Sequence, residues 1–378
     1  MALRHNSQIK KWLVLIISLY VQPLFAVSEQ RTPVLEFTPE LQKVSLFSNV
    51  EVLRDKEHRL TIQEVSAPAY AQKFQPETRT GNSFGFTKDT FWIRFTLKQA
   101  ESLKERLYLQ LDYPLMDQVT FYLSRANGGF TESSTGDSLP FAAREVKHRT
   151  FLFQLPEHQG QIRSYYLRLQ TEGSMQFPMT LWTSSAFIEA QEQDNFFFGI
   201  FYGVMLLLML AALVTYRKLK DSLFLYYALY LFSFLLFQHS LNGFSFQFFW
   251  PESTWWTSRA SSFFIGFVVF CALLFTGKFL NVWTEHPIIK KLFYLVMGFS
   301  IMSMFTTLFG KYAFAIQLSA LQGIILPPVV LIAAVTSFLR GYQPARYFLV
   351  AWFIFLFSVF IAALLYFGLI QNNFYTYY

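Results

Sequence analysis

The stretch FWIRFTL, Phe91 to Leu97, sets apolar side chains at Phe91, Ile93, Phe95 and Leu97, with Trp92, Arg94 and Thr96 between them. Successive side chains of a strand point to opposite faces, so this alternation predicts a strand with one face on a core and the other toward water. A tryptophan beside an arginine on the wet face raises the question of what that face binds. Further segments between Arg31 and Glu192 repeat the pattern. RLYLQLDY aligns Leu107, Leu109 and Leu111; DQVTFYLS aligns Val119, Phe121 and Leu123; TFLFQLP aligns Phe151, Phe153 and Leu155; SYYLRLQT aligns Tyr165, Leu167 and Leu169. Turn residues at 127–129, 135–140 and 157–160 separate them, and short alternating strands between turns predict a β-sandwich.

The opposite faces of these strands read Trp92 and Arg94, then Tyr108, Gln110 and Asp112, then Thr120 and Tyr122, then Tyr166, Arg168 and Gln170. If the strands are neighbours, rings and planar hydrogen-bonding groups share one sheet surface, as in sites that hold sugars. The competing reading is a solvated or loop-covered sheet, because aromatic residues favour strands and pair across them.

The composition divides the chain. Residues 1–195 contain 21 Lys+Arg and 21 Asp+Glu, whereas residues 196–378 contain 10 Lys+Arg against Asp221, Glu252 and Glu285, so the whole excess of +7 lies in the second part. This leaves no basic domain for nucleic acid. Residues 1–28 read as a signal peptide, with Arg4, Lys10 and Lys11 before the apolar run Trp12–Leu24 and small residues at Ala26 and Ser28. Cleavage is expected rather than retention, since a span needs about 20 apolar residues. Cys271 is the single cysteine and lies in an apolar run, so the exported part is held by its core and not by disulfides.

From Phe196 onward six runs are long enough to cross a bilayer, at about 196–216, 222–243, 260–280, 292–310, 313–339 and 347–370. With 29–190 exported, the loops on the inner side carry Arg217, Lys218, Lys220, Lys290, Lys291, Arg340 and Arg346, and the outer loops carry Arg259 and Lys311, which obeys the positive-inside bias. Phe248, Phe249, Trp250, Trp255 and Trp256 read as an outer interfacial belt. No Asp or Glu falls inside any of the six runs, which argues against a proton-coupled transporter. Gln317, Gln322, Pro327 and Pro328 break the fifth run and predict a kink. The segment AFIEAQEQDN, Ala186 to Asn195, joins the two parts without a Gly/Pro/Ser linker and has helical character suited to transmitting movement.

Catalytic chemistry has little support: no HExxH, GxSxG, P-loop or GxGxxG occurs. Asp89, Asp112, Asp117 and Asp137 are oxygen donors of the kind calcium takes, but no EF-hand-like loop frames them. No metal, cofactor or catalytic residue is assigned.

The order of parts resembles the bacterial seven-transmembrane receptors with diverse intracellular signalling modules, of the type-2 extracellular class. The resemblance is carried by FWIRFTL, by LDYPLMDQVTFYL (111–123), GDSLPFAAREVKHRTFLFQL (136–155) and YYLRLQTEGSMQFPMTLW (165–182), and by the entry to the bundle, FFFGIFYGVMLLLMLAALVTY (196–216). It implies an all-β jelly-roll sensory domain at 29–190, similar to carbohydrate-binding modules, followed by an all-α polytopic transmembrane bundle at 191–378. It also implies a seventh helix leading to a cytoplasmic diguanylate cyclase or histidine kinase, so a chain counted at six spans is expected to be truncated before its output module. The resemblance points to Trp92, Arg94, Asp137, Arg144 and Arg149 as ligand-binding residues. Trp92 would be the stacking platform and the others polar contacts or anchors; Arg144 and Arg149 read equally well as scaffold residues bridging loop carbonyls.

The expected function is therefore an inner-membrane sensor, its exported domain in the periplasm, that takes up a small polar, carbohydrate-like ligand and signals through the bundle. The expected partners are a periplasmic small-molecule or glycan ligand, membrane lipid, and a second copy or another signalling protein. The alternative is a membrane-anchored glycan-binding or assembly protein that does not signal.

Overall fold

The computed structural model describes residues 34–77, 83–125, 129–158 and 160–354. The expected signal peptide, most of the turn at 127–129 and most of the sixth expected span lie outside them.

Among the described residues, the first part is all β. One sheet runs in the order β4 (Gln75–Pro76), β3 (Val50–Asp55), β6 (Thr90–Gln99), β11 (Ile162–Gln170), β8 (Gln118–Ser124), β9 (Phe130–Thr135), with β1 (Leu35–Phe37) pairing parallel to the end of β6. The second runs β10 (Phe151–Gln154), β7 (Leu107–Leu111), β13 (Met179–Thr183), β2 (Lys43–Ser45), and β5 (Ser83–Phe86) pairs with β12 (Ser174–Gln176) as a ribbon. The predicted alternation decides which side chains meet. Phe91, Ile93, Phe95 and Leu97 of β6 all enter the inter-sheet core, against Leu107, Leu109 and Leu111 of β7 and Phe151 and Phe153 of β10. Each such side chain contributes about 1.5–3 kcal/mol on burial, and shifting β6 by one residue would put Arg94 there instead.

Helix α3 (Ser184–Leu219) begins directly after β13, its first turn capped by Thr183, whose Oγ1 accepts from the Ala186 N–H at 3.3 Å. Its 36 residues extend about 54 Å, well beyond the roughly 30 Å of a hydrocarbon core. The polar first turns therefore stand clear of the membrane in one unbroken helix with the span, as the missing linker predicts. Helices α4 (Ser222–Leu241), α6 (Thr254–Phe279), α8 (Pro287–Phe309) and α9 (Tyr312–Leu339) are likewise long and apolar enough to cross, the one-turn α7 (Val282–Glu285) lies between α6 and α8, and a shorter apolar helix, α10, is described over Ala345–Ile354. The fifth run forms one helix, α9, which continues through Pro327 and Pro328. Neighbouring helices and side chains can satisfy the carbonyls that proline frees inside a bundle.

A short helix, α5 (Phe244–Phe248), and the first turns of α6 and α9 lie against the sandwich. The connections after α3, α6 and α9, with Arg217, Lys218, Lys220, Lys290, Lys291, Arg340 and Arg346, thus fall at the opposite end.

Candidate functional site

The register builds part of the expected ring surface and then closes it. Arg168 of β11 pairs with Trp92 on one side and Thr120 on the other, and Tyr166 pairs with Arg94 and Tyr122, so β6, β11 and β8 do share a face. Tyr108 and Gln110 do not join it, because β7 belongs to the other sheet, where Gln110 accepts from the Trp182 indole N–H at 2.8 Å.

The shared face is not open to water. Residues 60–76 fold across it: α1 (Ile62–Ser66) starts at a capping box between Thr61 and Glu64, continues into α2 (Pro68–Ala71), and sets Ile62, Val65 and Phe74 against Leu53, Trp92, Tyr122 and Tyr166. Trp92 is 0% exposed and stacks on Tyr122 with ring centroids 5.5 Å apart. The expectation of Trp92 as an open stacking platform is thereby corrected, because a second apolar layer covers it. Arg94 belongs to the same cover. Its Nε donates to Glu51 Oε2 at 2.6 Å, its Nη2 donates to the Ala71 carbonyl at 3.1 Å, and its guanidinium lies 4.3 Å from the Phe74 ring centroid.

Arg144 and Arg149 sit where the sandwich meets the helices. Arg144 Nη1 donates to the carbonyls of His148 at 2.6 Å and Thr150 at 3.2 Å, which is the scaffold role of the two readings. Its guanidinium also stacks among Phe141, Phe151 and Phe246 of α5 at 4.8, 4.5 and 5.5 Å. Arg149 Nη2 donates to Asp194 Oδ2 of α3 at 2.8 Å, and its guanidinium lies 5.1 Å from the Phe198 centroid and 5.6 Å from that of Phe244. His148 Nε2 meets Gln191 on the same helix face. Burial, with help from both neighbouring arginines, pushes the His148 pKa down to about 4, so the imidazole is neutral at pH 7. Gly243 completes the seam: it has φ +79°, and a Cβ there would fall 2.6 Å from the Arg149 carbonyl oxygen.

Asp137 is placed beside the same junction by a close backbone crossing. The Asp137 N–H donates to the Met116 carbonyl at 2.9 Å, and Gly136, at φ +143°, passes so near Asp117 that a Cβ would lie 2.0 Å from its carbonyl oxygen. The Asp117 and Asp137 side chains both line a cavity of about 370 Å³ between sandwich and bundle. Its sandwich wall includes His58, Lys88, Gln170, Thr171 and Glu172, and its helical wall is Ser258 of α6 and Tyr312 of α9. Asp117 Oδ2 accepts from the Glu172 N–H at 2.7 Å, and among the described residues no N–H group donates to Asp117 Oδ1 or to either Asp137 carboxyl oxygen. Asp137 is 1% exposed, and a proton held on its carboxyl is shared by hydrogen bond with Asp117. Burial, and then the Asp117 carboxyl, hold Asp137 well above the usual carboxylate range against the pull of Arg144, and burial raises Asp117 as well. A second, more apolar cavity of about 200 Å³ adjoins this one and shares Ser258 and Tyr312 with it. Of the other aspartates weighed as oxygen donors, Asp89 pairs with Arg54, and Asp112 lies 4.0 Å from Arg149. Among the described residues, no three His, Cys, Asp or Glu come together as a metal site.

Residues 48–183 match the family model described as 7TMR-DISM extracellular 2, and residues 194–378 match the one described as 7TM diverse intracellular signalling. The chain belongs to this receptor family. No curated protein matches it. The receptor is thus an extracellular sensor joined to a multi-pass transmembrane signalling domain, and both matched domains are of receptor type. The gap between the two matches, 184–193, is the membrane-clear start of α3, which carries Gln191 and runs on into Asp194.

Of the five residues singled out from the sequence, the receptor brings Asp137, Arg144 and Arg149 to its junction and keeps Trp92 and Arg94 under the outer cover of the sheet. Sequence reasoning did not foresee Tyr312, Ser258 or Thr171 as cavity walls. The one available signal for the Asp117–Asp137 approach is the glycine at 136, which permits a crossing no other residue would allow.

Proposed function

We propose that this receptor reads a small polar ligand at the junction of sandwich and bundle, and that occupancy there biases the arrangement of the helices. The observation carrying this reading is the cavity itself: its walls come from both bodies, and a buried carboxyl to which, among the described residues, no N–H group donates lines it. A ligand held between two bodies has different contacts in different arrangements of them, which is the physical requirement for shifting an equilibrium. The open aromatic platform that suggested a carbohydrate on the sheet face is closed, so the ligand is assigned to the cavity. From there α6 and α9, which supply Ser258 and Tyr312 to its wall, lead directly into the membrane, toward an output module of the family's kind on the far side. The sandwich is assigned to the periplasm and the bundle to the bacterial inner membrane, supported by the leader-like residues 1–28 and by the seven basic residues at the end remote from the sandwich.

The test is a plug. Thr171→Trp fills the cavity from the sandwich side. In the full chain in nanodiscs, hydrogen exchange is expected to change in the first turns of α6 and α9, remote in sequence from the substitution. A change confined to the sandwich would refute the junction as the site that signals.

A further inference from the structure

Resting on the junction as the ligand site, we infer that the group recognised there is a primary ammonium carried on an apolar body. Among the described residues, no N–H group donates to the buried Asp137 Oδ1, Asp137 Oδ2 or Asp117 Oδ1, and the two carboxyls are joined only by a proton held on Asp137. A buried polar atom without a partner is costly, and two adjacent carboxyls in a dry site require either a proton or a cation between them. An ammonium presents three N–H donors and a positive charge, which answers both needs at once.

The surrounding charges favour a cation. The cavity wall carries Asp117, Asp137 and Glu172 against Lys88 and His58, and the His58 ring is engaged through Nδ1 with Thr90 Oγ1 at 2.8 Å. Arg144 does not neutralise Asp137 by contact: among the described residues its Nε and Nη2 have no partner, and its guanidinium is held between phenylalanine rings.

The adjoining cavity supplies the rest of the ligand's shape. It is lined by Phe86, Tyr113, Leu115, Ile265, Ile316 and Ala320, and Tyr312 borders both spaces. A molecule with its ammonium at Asp137 and an alkyl or aryl body past Tyr312 would occupy both, burying its apolar part against α6 and α9 where they meet the outer membrane surface. Two sources share this chemistry, a free amine and the headgroup of an amino lipid.

The test uses the full chain in phosphatidylcholine nanodiscs, titrated calorimetrically with 2-phenylethylamine and with 2-phenylethanol, which has the same body without the charge. The amine is expected to bind saturably and at least about tenfold more tightly, and Asp137→Asn, close to isosteric, is expected to weaken it about 10- to 100-fold, as removal of a charge-assisted hydrogen bond does. Ser261→Phe, which fills the apolar cavity from a serine whose hydroxyl has no partner, should weaken 2-phenylethylamine while leaving methylamine binding unchanged. Phosphatidylethanolamine in the disc assigns the source: lowered apparent affinity for the amine identifies a competing lipid headgroup, and unchanged affinity identifies a soluble amine. Equal binding of amine and alcohol, or undiminished amine binding by a folded Asp137→Asn protein, would overturn the inference. If no amine binds while the Thr171→Trp plug still alters exchange in the helices, the ammonium assignment fails and the junctional reading stands. If the plug leaves the helices unchanged, it is the junctional reading that fails.

Discussion

Replacing Arg149 by alanine should uncouple the sandwich from the first membrane helix. The side chains of Arg149 and Asp194 are only 8% and 14% exposed and stand 2.8 Å apart, so this is a desolvated pair and not a surface one. Removing one partner of such a pair costs about 3–5 kcal/mol, because the remaining charge stays in a dry site. The stacks on Phe198 and Phe244 add about 0.5–2 kcal/mol each. The cost falls on docking and not on either core, since the inter-sheet core contains neither residue. A docking loss of about 3 kcal/mol is roughly a 100-fold change in population, so hydrogen exchange over 184–198 and 243–248 should accelerate by about that factor while β6 and β11 stay protected. A double-mutant cycle with Asp194→Asn should show a coupling of about 1–3 kcal/mol. Additive effects, or acceleration shared equally by the sandwich strands, would refute the assignment of this pair as the mechanical link.

Two further outcomes follow from burial. Trp92→Ala should lower sandwich stability by about 3–5 kcal/mol, read from the melting of the full chain, since it empties the layer between β6 and α1; an unchanged melting temperature would mean that residues 60–76 do not cover this face. His148 has its pKa depressed from the ordinary 6.5 to about 4, so the unfolded chain binds the proton first and this residue's contribution is present above pH 6.5 and lost as pH falls toward 4. The loss amounts to about 3 kcal/mol at most. Asp137, Asp117 and Glu145, whose pKa values are raised, act in the opposite direction, so the comparison is between wild type and His148→Gln: acidification should cost wild type more than the variant, and a pH-independent gap would contradict the buried neutral imidazole.

Strand identity was legible because alternation is local: Phe91, Ile93, Phe95 and Leu97 can share a core only if the segment is extended. What alternation does not encode is what lies above a face. The cover over Trp92 comes from α1 and α2, two short helices whose few apolar residues, Ile62, Val65 and Tyr70, form no long periodic signal. Strand order is equally hidden, so Tyr108 and Gln110, identical in pattern to the residues of β11, went to the other sheet. Arg144 and Arg149 were recognisable as important but not as junction residues, because their partners Phe246, Asp194 and Phe198 belong to the bundle. Asp137 was legible as an acid, and its pairing with Asp117 depends on a backbone crossing that only Gly136 hints at. The membrane helices were the most readable part, since hydrocarbon thickness fixes their length whatever they pack against.

Sandwich and bundle are docked at the outer helix ends. Phe141 of the sandwich and Phe246 of α5 meet edge to face with centroids 5.6 Å apart, and the Phe141 N–H donates to the Pro251 carbonyl at 2.8 Å. Cysteines at 141 and 246, in a chain carrying Cys271→Ala, should be joined in native membranes by a short bifunctional thiol reagent, in high yield and within one chain. Efficient labelling of each cysteine singly, with no intramolecular link between them, would show that sandwich and bundle are not docked there.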